Sequence, residues 1–358
     1  MHGHDDVNLA ASTIAVSAGR PKRSPDAPLN APITMASAFI PGGNSGYGRH
    51  GNPTFNAFET VLGELEGGRT LAFASGMAAT TAVFELVPAG GIVVAPQCAY
   101  NGTLTQLADR ARRKTIKLRL VDMTNTAEVT NASKDAALVW VESPTNPTLE
   151  LADIKAISNA ASATGAAIAV DNTFATPLRQ KPLDLGADIV VHSASKLLSG
   201  HSDVILGAVV TNDDRLFNAL AKQRESLGSI PGALEIWLAT RGIRTLHVRL
   251  DRAEANAREI YARLSKTKDI VHPRYPGFGT IVSFEVKAGA DIAQKITETS
   301  ELITYTTSLG GVESTWERRR RIPSEPTTVP ESLIRLSVGI EHVDDLWDDI
   351  VFALKIAR

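Results

Sequence analysis

The chain has 358 residues, 43% of them hydrophobic and 21% charged, with a formal net charge of −2. That length exceeds what one hydrophobic core usually organises, so two domains are expected, and the near-neutral charge argues against any global attraction to nucleic acid or to an anionic membrane. A single cysteine, Cys98, excludes an internal disulfide framework, and no apolar run approaches the roughly 20 residues needed to cross a bilayer.

The opening residues, MHGHDDVNLAAS, show no basic flank followed by an apolar run, and a cytoplasmic location is the expectation. Residues 1–45 are rich in Pro, Gly, Ser and Ala without sustained periodicity, and read as an extended N-terminal arm with little core of its own, of a kind that lies on a neighbouring subunit. From Phe55 the pattern changes. FNAFETVLGELEGG is an amphipathic helix stopped by a glycine pair, and SGMAATTAVFELV is a second helix opened by Ser75 and Gly76. Five short, β-branched apolar runs follow, GGIVVAP, TIKLRLVD, AALVWVES, AAIAVDNT and ADIVVHS, with LADIKAISNAASATG as a helix between two of them. Their alternation with helical stretches predicts an α/β fold with a mostly parallel sheet and helical crossovers over residues 46–235.

A long helical stretch near residues 232–267 bridges to a smaller α+β unit over residues 236–358. That unit holds the strands GTIVSFEVK and LIRLSVGIE and the helices DIAQKITETSE and DDLWDDIVFALKIA.

Ligands of open α/β sheets bind beyond the carboxyl ends of the strands. There the chain places Glu142, Ser143 and Asn146, then Asp171, then His192, Ser193, Ser195 and Lys196. A lysine close behind a buried strand is open to desolvation, which lowers its pKa and makes it a nucleophile for carbonyl chemistry. A carboxylate at a neighbouring strand end, Asp171, can keep a pyridinium nitrogen protonated. Small residues at a helix N-terminus, Ser75 to Thr80, suit a phosphate. Each of these has an ordinary explanation when taken alone: a surface lysine, a turn carboxylate, a helix cap. Neither GxGxxG after a strand nor GxxxxGK[ST] occurs, which disfavours a nicotinamide or ATP enzyme.

Together these residues resemble the Cys/Met metabolism, or transsulfuration, family of pyridoxal 5'-phosphate enzymes of fold type I. The motifs run in order over nearly the whole chain: YGRHGNPT (47–54), SGMAA (75–79), Tyr100 with Gly102 and Thr103, ESPTNP (142–147), DNTFATP (171–177), HSASKLLSGHSD (192–203), SLGGVES (308–314) and LIRLSVGIE (333–341). The resemblance implies pyridoxal phosphate as cofactor, held by residues 46–235 and carried on Lys196 as a Schiff base. It implies that Asp171 pairs with the ring nitrogen, that Ser75, Gly76, Met77, Thr173, Ser193 and Ser195 help bind the cofactor, and that Tyr100 stacks on the ring and exchanges protons with the leaving group. Tyr47 and Arg49 would reach the phosphate of an adjacent subunit, making the catalytic unit a dimer and the assembly a tetramer of two such dimers. Arg335, with Asn146 and Ser308, would bind the substrate α-carboxylate.

The implied reaction is cystathionine γ-lyase. Next come cystathionine γ-synthase acting on an O-acyl-homoserine, and then β-lyase or methionine γ-lyase. A catalytically silent pyridoxal-binding relative and a sheet-based oxidoreductase are the readings from other classes. Thr307 stands where the resembled γ-synthases and γ-lyases commonly carry Glu, NGTLTQ after Tyr100 lacks an Arg often found there, and ESTWERRRRIPSEP replaces a stretch that usually holds a Thr-His pair. The basic run Arg318 to Arg321 reads as a solvated helix face, Cys98 as packing, and His192, His201 and Asp203 as loop residues whose spacing fits no standard zinc pattern.

Overall fold

The computed structural model describes residues 9–43 and 46–357, so residues 1–8 and 44–45 of the expected arm lie outside the described residues. In chain order the elements are α1 (Ala11–Ser17), α2 (Pro53–Glu66), β1 (Arg69–Phe73), α3 (Gly76–Phe84), β2 (Ile92–Pro96), α4 (Asn101–Arg112), β3 (Lys117–Val121), α5 (Thr126–Ala132), β4 (Ala136–Glu142), α6 (Ile154–Ser162), β5 (Ala167–Asp171), β6 (Ile189–His192), β7 (Gly207–Thr211), α7 (Asp214–Leu227), α8 (Ala233–Ile243) and α9 (Leu246–Leu264). The last part adds β8 (Ile270–Arg274), β9 (Ile281–Val286), α10 (Ala290–Thr299), β10 (Thr304–Tyr305), β11 (Thr315–Arg318), β12 (Leu333–Ser337) and α11 (Val343–Ile356).

All five expected strands of the first unit are present, as β2 to β6, in a seven-stranded sheet of order β1-β7-β6-β5-β4-β2-β3. The sheet is mostly parallel; β7 alone runs against both of its neighbours, β1 and β6. Its central strands β2, β4, β5 and β6 are largely apolar because both faces are covered, whereas the edge strand β3 carries Lys117 and Arg119 and is partly exposed. Within β6, Ile189 and Val191 join the core that α3, α4 and α7 share, while Val190 points into the opposite core with α2 and α8. The caps read from the sequence hold: the Ser75 side chain accepts the Ala78 N–H at 3.1 Å, and Gly67 closes α2 in the left-handed region at φ 87°. The N-terminal stretch departs from its expected extended form, since α1 folds and buries Ala15.

The helical stretch near 232–267 is two helices, α8 and α9, separated at Arg244 and Thr245. Helix α9 crosses between cores: Leu246 and Leu250 pack in the first, and Ala257, Ile260 and Leu264 in the second. The second sheet, of order β10-β11-β12-β9-β8, is antiparallel except for β10 against β11. Period-two alternation sets its two faces. Ile334 and Leu336 of β12 join the core with α9, α10 and α11, whereas Arg335 faces the first unit, beside Ser283, whose hydroxyl donates to the Pro147 carbonyl at 2.8 Å.

The junction of β7 with the loop before α3 is the tightest contact at the site. A Cβ on Gly207 would lie 2.0 Å from the Ser75 carbonyl oxygen, which is backbone and has little room to move. Gly207→Ala is therefore expected to lower stability by about 1–3 kcal/mol in urea unfolding, with the loss accompanied by displacement of the α3 N-terminus.

Candidate active site

The carboxyl ends of β4, β5 and β6, the N-terminus of α3 and the polar face of the second sheet enclose a cavity of about 670 Å³. Of the residues singled out from the sequence, Ser75, Gly76, Met77, Tyr100, Asn146, Asp171, Thr173, Ser193, Ser195, Lys196, Ser308 and Arg335 all line it. Tyr47 and Arg49 do not. They stand exposed on the surface, where the Arg49 guanidinium lies 5.5 Å from the Tyr47 ring centre.

Lys196 follows β6 in a turn in which its N–H donates to the Ser193 carbonyl. Its amine donates to the Ser308 hydroxyl at 2.8 Å. Burial, reinforced by the positive charge of Arg335, lowers its pKa to about 8. Ser308 itself has φ 88°, a left-handed conformation that a side chain seldom adopts, and its carbonyl accepts from Arg335 Nη2 at 2.8 Å. Backbone strain of this kind concentrates at working sites.

Arg335 Nη1 donates to Asn146 Oδ1 at 2.9 Å, and the Asn146 N–H donates to Glu142 at 2.7 Å. Glu142 also accepts the Tyr100 N–H at 2.9 Å, so one buried carboxylate fixes both Tyr100 and Asn146. Glu142 and Asp171 are register partners on β4 and β5. Burial, with Asp171 beside it, raises the Glu142 pKa well above the usual carboxylate range; burial also raises that of Asp171, against the bonds it accepts from Thr173. The Thr173 hydroxyl in turn accepts the Ser193 N–H at 2.9 Å, tying the ends of β5 and β6 together. Ser195 turns its hydroxyl to the Leu206 backbone, donating to its carbonyl and accepting from its N–H.

Four groups at or behind this site take places that the sequence did not assign them. Glu317, Arg319 and Glu325 form a buried ion-pair cluster against Arg335. The run Arg318 to Arg321 is thus not a solvated helix face: it is the end of β11 and one 3₁₀ turn, with the Arg319 side chain only 3% exposed. The signal lay in the partner strand, because Glu317 falls directly opposite Arg335 in the β11–β12 register. His192 is the fourth: it is a buried strand residue and not a loop residue, paired with Glu66 at 2.6 Å. Cys98 is buried, with its thiol pKa pushed up to about 11 by burial, in keeping with packing. Among the described residues no cluster of His, Cys, Asp and Glu is arranged to hold a metal ion, and no helix is long and apolar enough to cross a membrane.

A cavity that offers an amine of lowered pKa, a helix N-terminus and a buried carboxylate is that of an enzyme working through an aldehyde cofactor that bears a phosphate. The family profile described as Cys/Met metabolism PLP-dependent enzyme matches residues 12–355, and the chain belongs to that family. A cystathionine gamma-lyase of Dictyostelium discoideum is 36% identical over 97% of this chain and 98% of its own. A cystathionine gamma-synthase of Mycobacterium bovis is 38% identical, covering 98% of both chains. The crystal structure of MetB from Corynebacterium glutamicum superposes with a TM-score of 0.95 at 35% identity, over 98% of this chain and 99% of that one. The protein is a pyridoxal-phosphate-dependent enzyme, with the fold expected from its sequence.

The residues fit that cofactor. A Cβ on Gly76 would lie 2.8 Å from the Ser193 side chain, so only glycine keeps open the space between α3 and the turn after β6. The first N–H groups of α3 have no acceptor within the helix and suit a phosphate. Buried Glu142 and half-buried Asp171, adjacent and with raised pKa, suit a cationic N–H, which a pyridinium would supply to Asp171.

Because the Lys196 amine is neutral above about 8 rather than above 10.5, uptake of pyridoxal phosphate by the apoprotein is expected to quicken as pH rises through about 8. Absorbance followed after mixing measures this, and a midpoint in the ordinary lysine range would contradict the assignment. Lys196→Ala is expected to fold yet show neither the visible absorption of a lysine-bound cofactor nor turnover.

Proposed function

We propose that this chain is a cystathionine γ-lyase, cleaving the Cγ–S bond of L-cystathionine to give L-cysteine, 2-oxobutanoate and ammonia, with Lys196 as the base. The observation that carries the reading is the Lys196 amine, half-buried in the cavity, hydrogen-bonded to Ser308 and held near a pKa of about 8. Elimination at Cγ requires a proton to leave Cα and a second to leave Cβ, and a single mobile amine within reach of both carbons suits that sequence.

When bound, pyridoxal phosphate supplies the electron sink that acidifies the substrate Cα–H. Asp171 keeps the ring nitrogen protonated. Arg335, oriented by Asn146 and Ser308, holds the α-carboxylate and so fixes the Cα–H bond toward Lys196. Lys196 takes the Cα proton and then moves a proton at Cβ. Tyr100, whose backbone is anchored by Glu142, gives a proton to the departing cysteine sulfur. Relatives named γ-lyase, γ-synthase and β-lyase all match over most of the chain, which supports cleavage or formation of a carbon–sulfur bond.

We further take the assembly to be a dimer of catalytic dimers in the cytoplasm. Exposed Tyr47 and Arg49, together with the large apolar residues Leu29 (80% exposed), Met35 (80%) and Ile40 (90%), form a surface that a second copy of the chain would cover while completing its cofactor site.

The purified holoenzyme given L-cystathionine is expected to release cysteine and 2-oxobutanoate in equal amounts. Homocysteine with pyruvate would move the reading to β-lyase, and no turnover except with an O-acyl-homoserine plus cysteine would move it to γ-synthase. Arg335→Ala is expected to lower kcat/KM by about a hundredfold or more, as loss of a buried carboxylate partner does, while the visible absorption of the cofactor remains.

A further inference from the structure

Three guanidinium groups converge on one carboxylate behind the substrate side of the cavity. Glu317 is fully buried. Its Oε1 accepts from Arg335 Nη2 at 2.8 Å, Arg319 Nη1 at 2.5 Å and the Thr307 hydroxyl at 3.3 Å, and its Oε2 accepts from Arg321 Nη2 at 2.6 Å. Arg319 reaches on to Glu325, also buried, at 2.6 Å. The pairing is written into the sheet, since Glu317 and Arg335 face each other across β11 and β12.

The cluster therefore holds three positive and two negative side chains. Arg335 and Arg319 are each 3% exposed, and the Nε–H of each has no acceptor among the described residues. The two buried guanidiniums are balanced by the two buried carboxylates, and the third, Arg321, has a side chain 30% exposed, so its charge is shared with solvent. Each guanidinium is also fixed in direction, because its terminal nitrogens are already committed to carboxylates or carbonyls.

We infer that Glu317 is a positioning residue for substrate recognition: it grips Arg335 from the side away from the cavity and, with Arg319 and Glu325, holds that guanidinium in place for a single substrate carboxylate. This rests on the assignment of Arg335 to the α-carboxylate made above. Arg319 then serves the network, its Nη1 held by Glu317 and its Nη2 by Glu325.

The same cluster acts on Lys196. The charged groups around its amine are Arg335 on β12, Glu317 on β11, Arg319 on the turn that follows, Asp171 and Glu142 at the strand ends, and Glu313 in the loop before β11. After burial, Arg335 and Arg319 lower the Lys196 pKa and Glu317 raises it. Removing Glu317 and removing Arg319 therefore shift it in opposite directions, an outcome that general loss of structure does not produce.

The test uses the holoenzyme and two amines that cannot undergo elimination of sulfur: L-norvaline, which has an α-carboxylate, and 1-aminobutane, which has none. Binding is read from the change in cofactor absorbance. In Glu317→Gln the apparent Kd for norvaline is expected to rise about tenfold or more, equivalent to about 1.4 kcal/mol, with 1-aminobutane changed less than about twofold. Glu317→Gln combined with Arg319→Gln keeps the net charge of the cluster, guards against failure of the single variant to fold, and is expected to weaken norvaline selectively as well. The midpoint of cofactor uptake with pH is expected to fall below about 8 in Glu317→Gln and to rise above it in Arg319→Gln. If the wild-type holoenzyme answers both amines but the variants bind norvaline unchanged, or lose both amines equally, the inference is wrong and the proposed function stands. A wild-type protein that takes up no cofactor defeats both.

Discussion

The burial of the Lys196 amine beside the Arg335 guanidinium is the constraint on which the rest of the site depends. An amine is a poor nucleophile while charged, and a protein makes it neutral near physiological pH by removing water and placing positive charge nearby. Those conditions destabilise the fold unless the neighbouring charge is itself matched. Glu317 supplies the match for Arg335, Arg319 and Arg321, and Glu325 for Arg319 again. The chemistry and the buried ion-pair cluster are thus two sides of one electrostatic arrangement.

The fold provides the place where those demands meet. A parallel sheet covered on both faces ends its strands at one edge, and the polar residues that terminate β4, β5 and β6 collect there. The second sheet turns its apolar face toward α9, α10 and α11, so Arg335 is left on the opposite face, looking into the cavity. Helix α9 belongs to both cores and holds the two sheets in register with each other. Backbone held in an unusual conformation at Ser308 and close approach at Gly76 shape the cavity wall, with the close approach of Gly207 to Ser75 behind it.

Much of this was legible in the sequence, for physical reasons. β2, β4, β5 and β6 announce themselves because strands buried on both faces are nearly continuously apolar, the edge strand β3 because its apolar residues alternate with Lys117 and Arg119, and α2 and α3 because their caps are written in Gly67 and Ser75. The site residues follow from position at strand ends, with the ordered family motifs adding their roles. Strands β1 and β7 were not seen: they pair with each other antiparallel at one side of the sheet, outside the strand–helix alternation that marks β2 to β6. The arginine run misled because charge in sequence does not reveal a buried partner; Arg319 is buried only because Glu317 and Glu325 are carried to it by the sheet and the turn. His192 likewise has its partner, Glu66, in a different helix 126 positions away. Tyr47 and Arg49 lie off the cavity within one chain, and no reading of a single chain joins them to it.

The most direct test of the account is to reduce the purified holoenzyme with sodium borohydride, digest it, and locate the pyridoxyl group by peptide mass spectrometry. The structure predicts the adduct on the peptide that contains Lys196, and on Lys196 within it. An adduct on any other lysine, or none in a protein that has taken up the cofactor, would contradict the central claim.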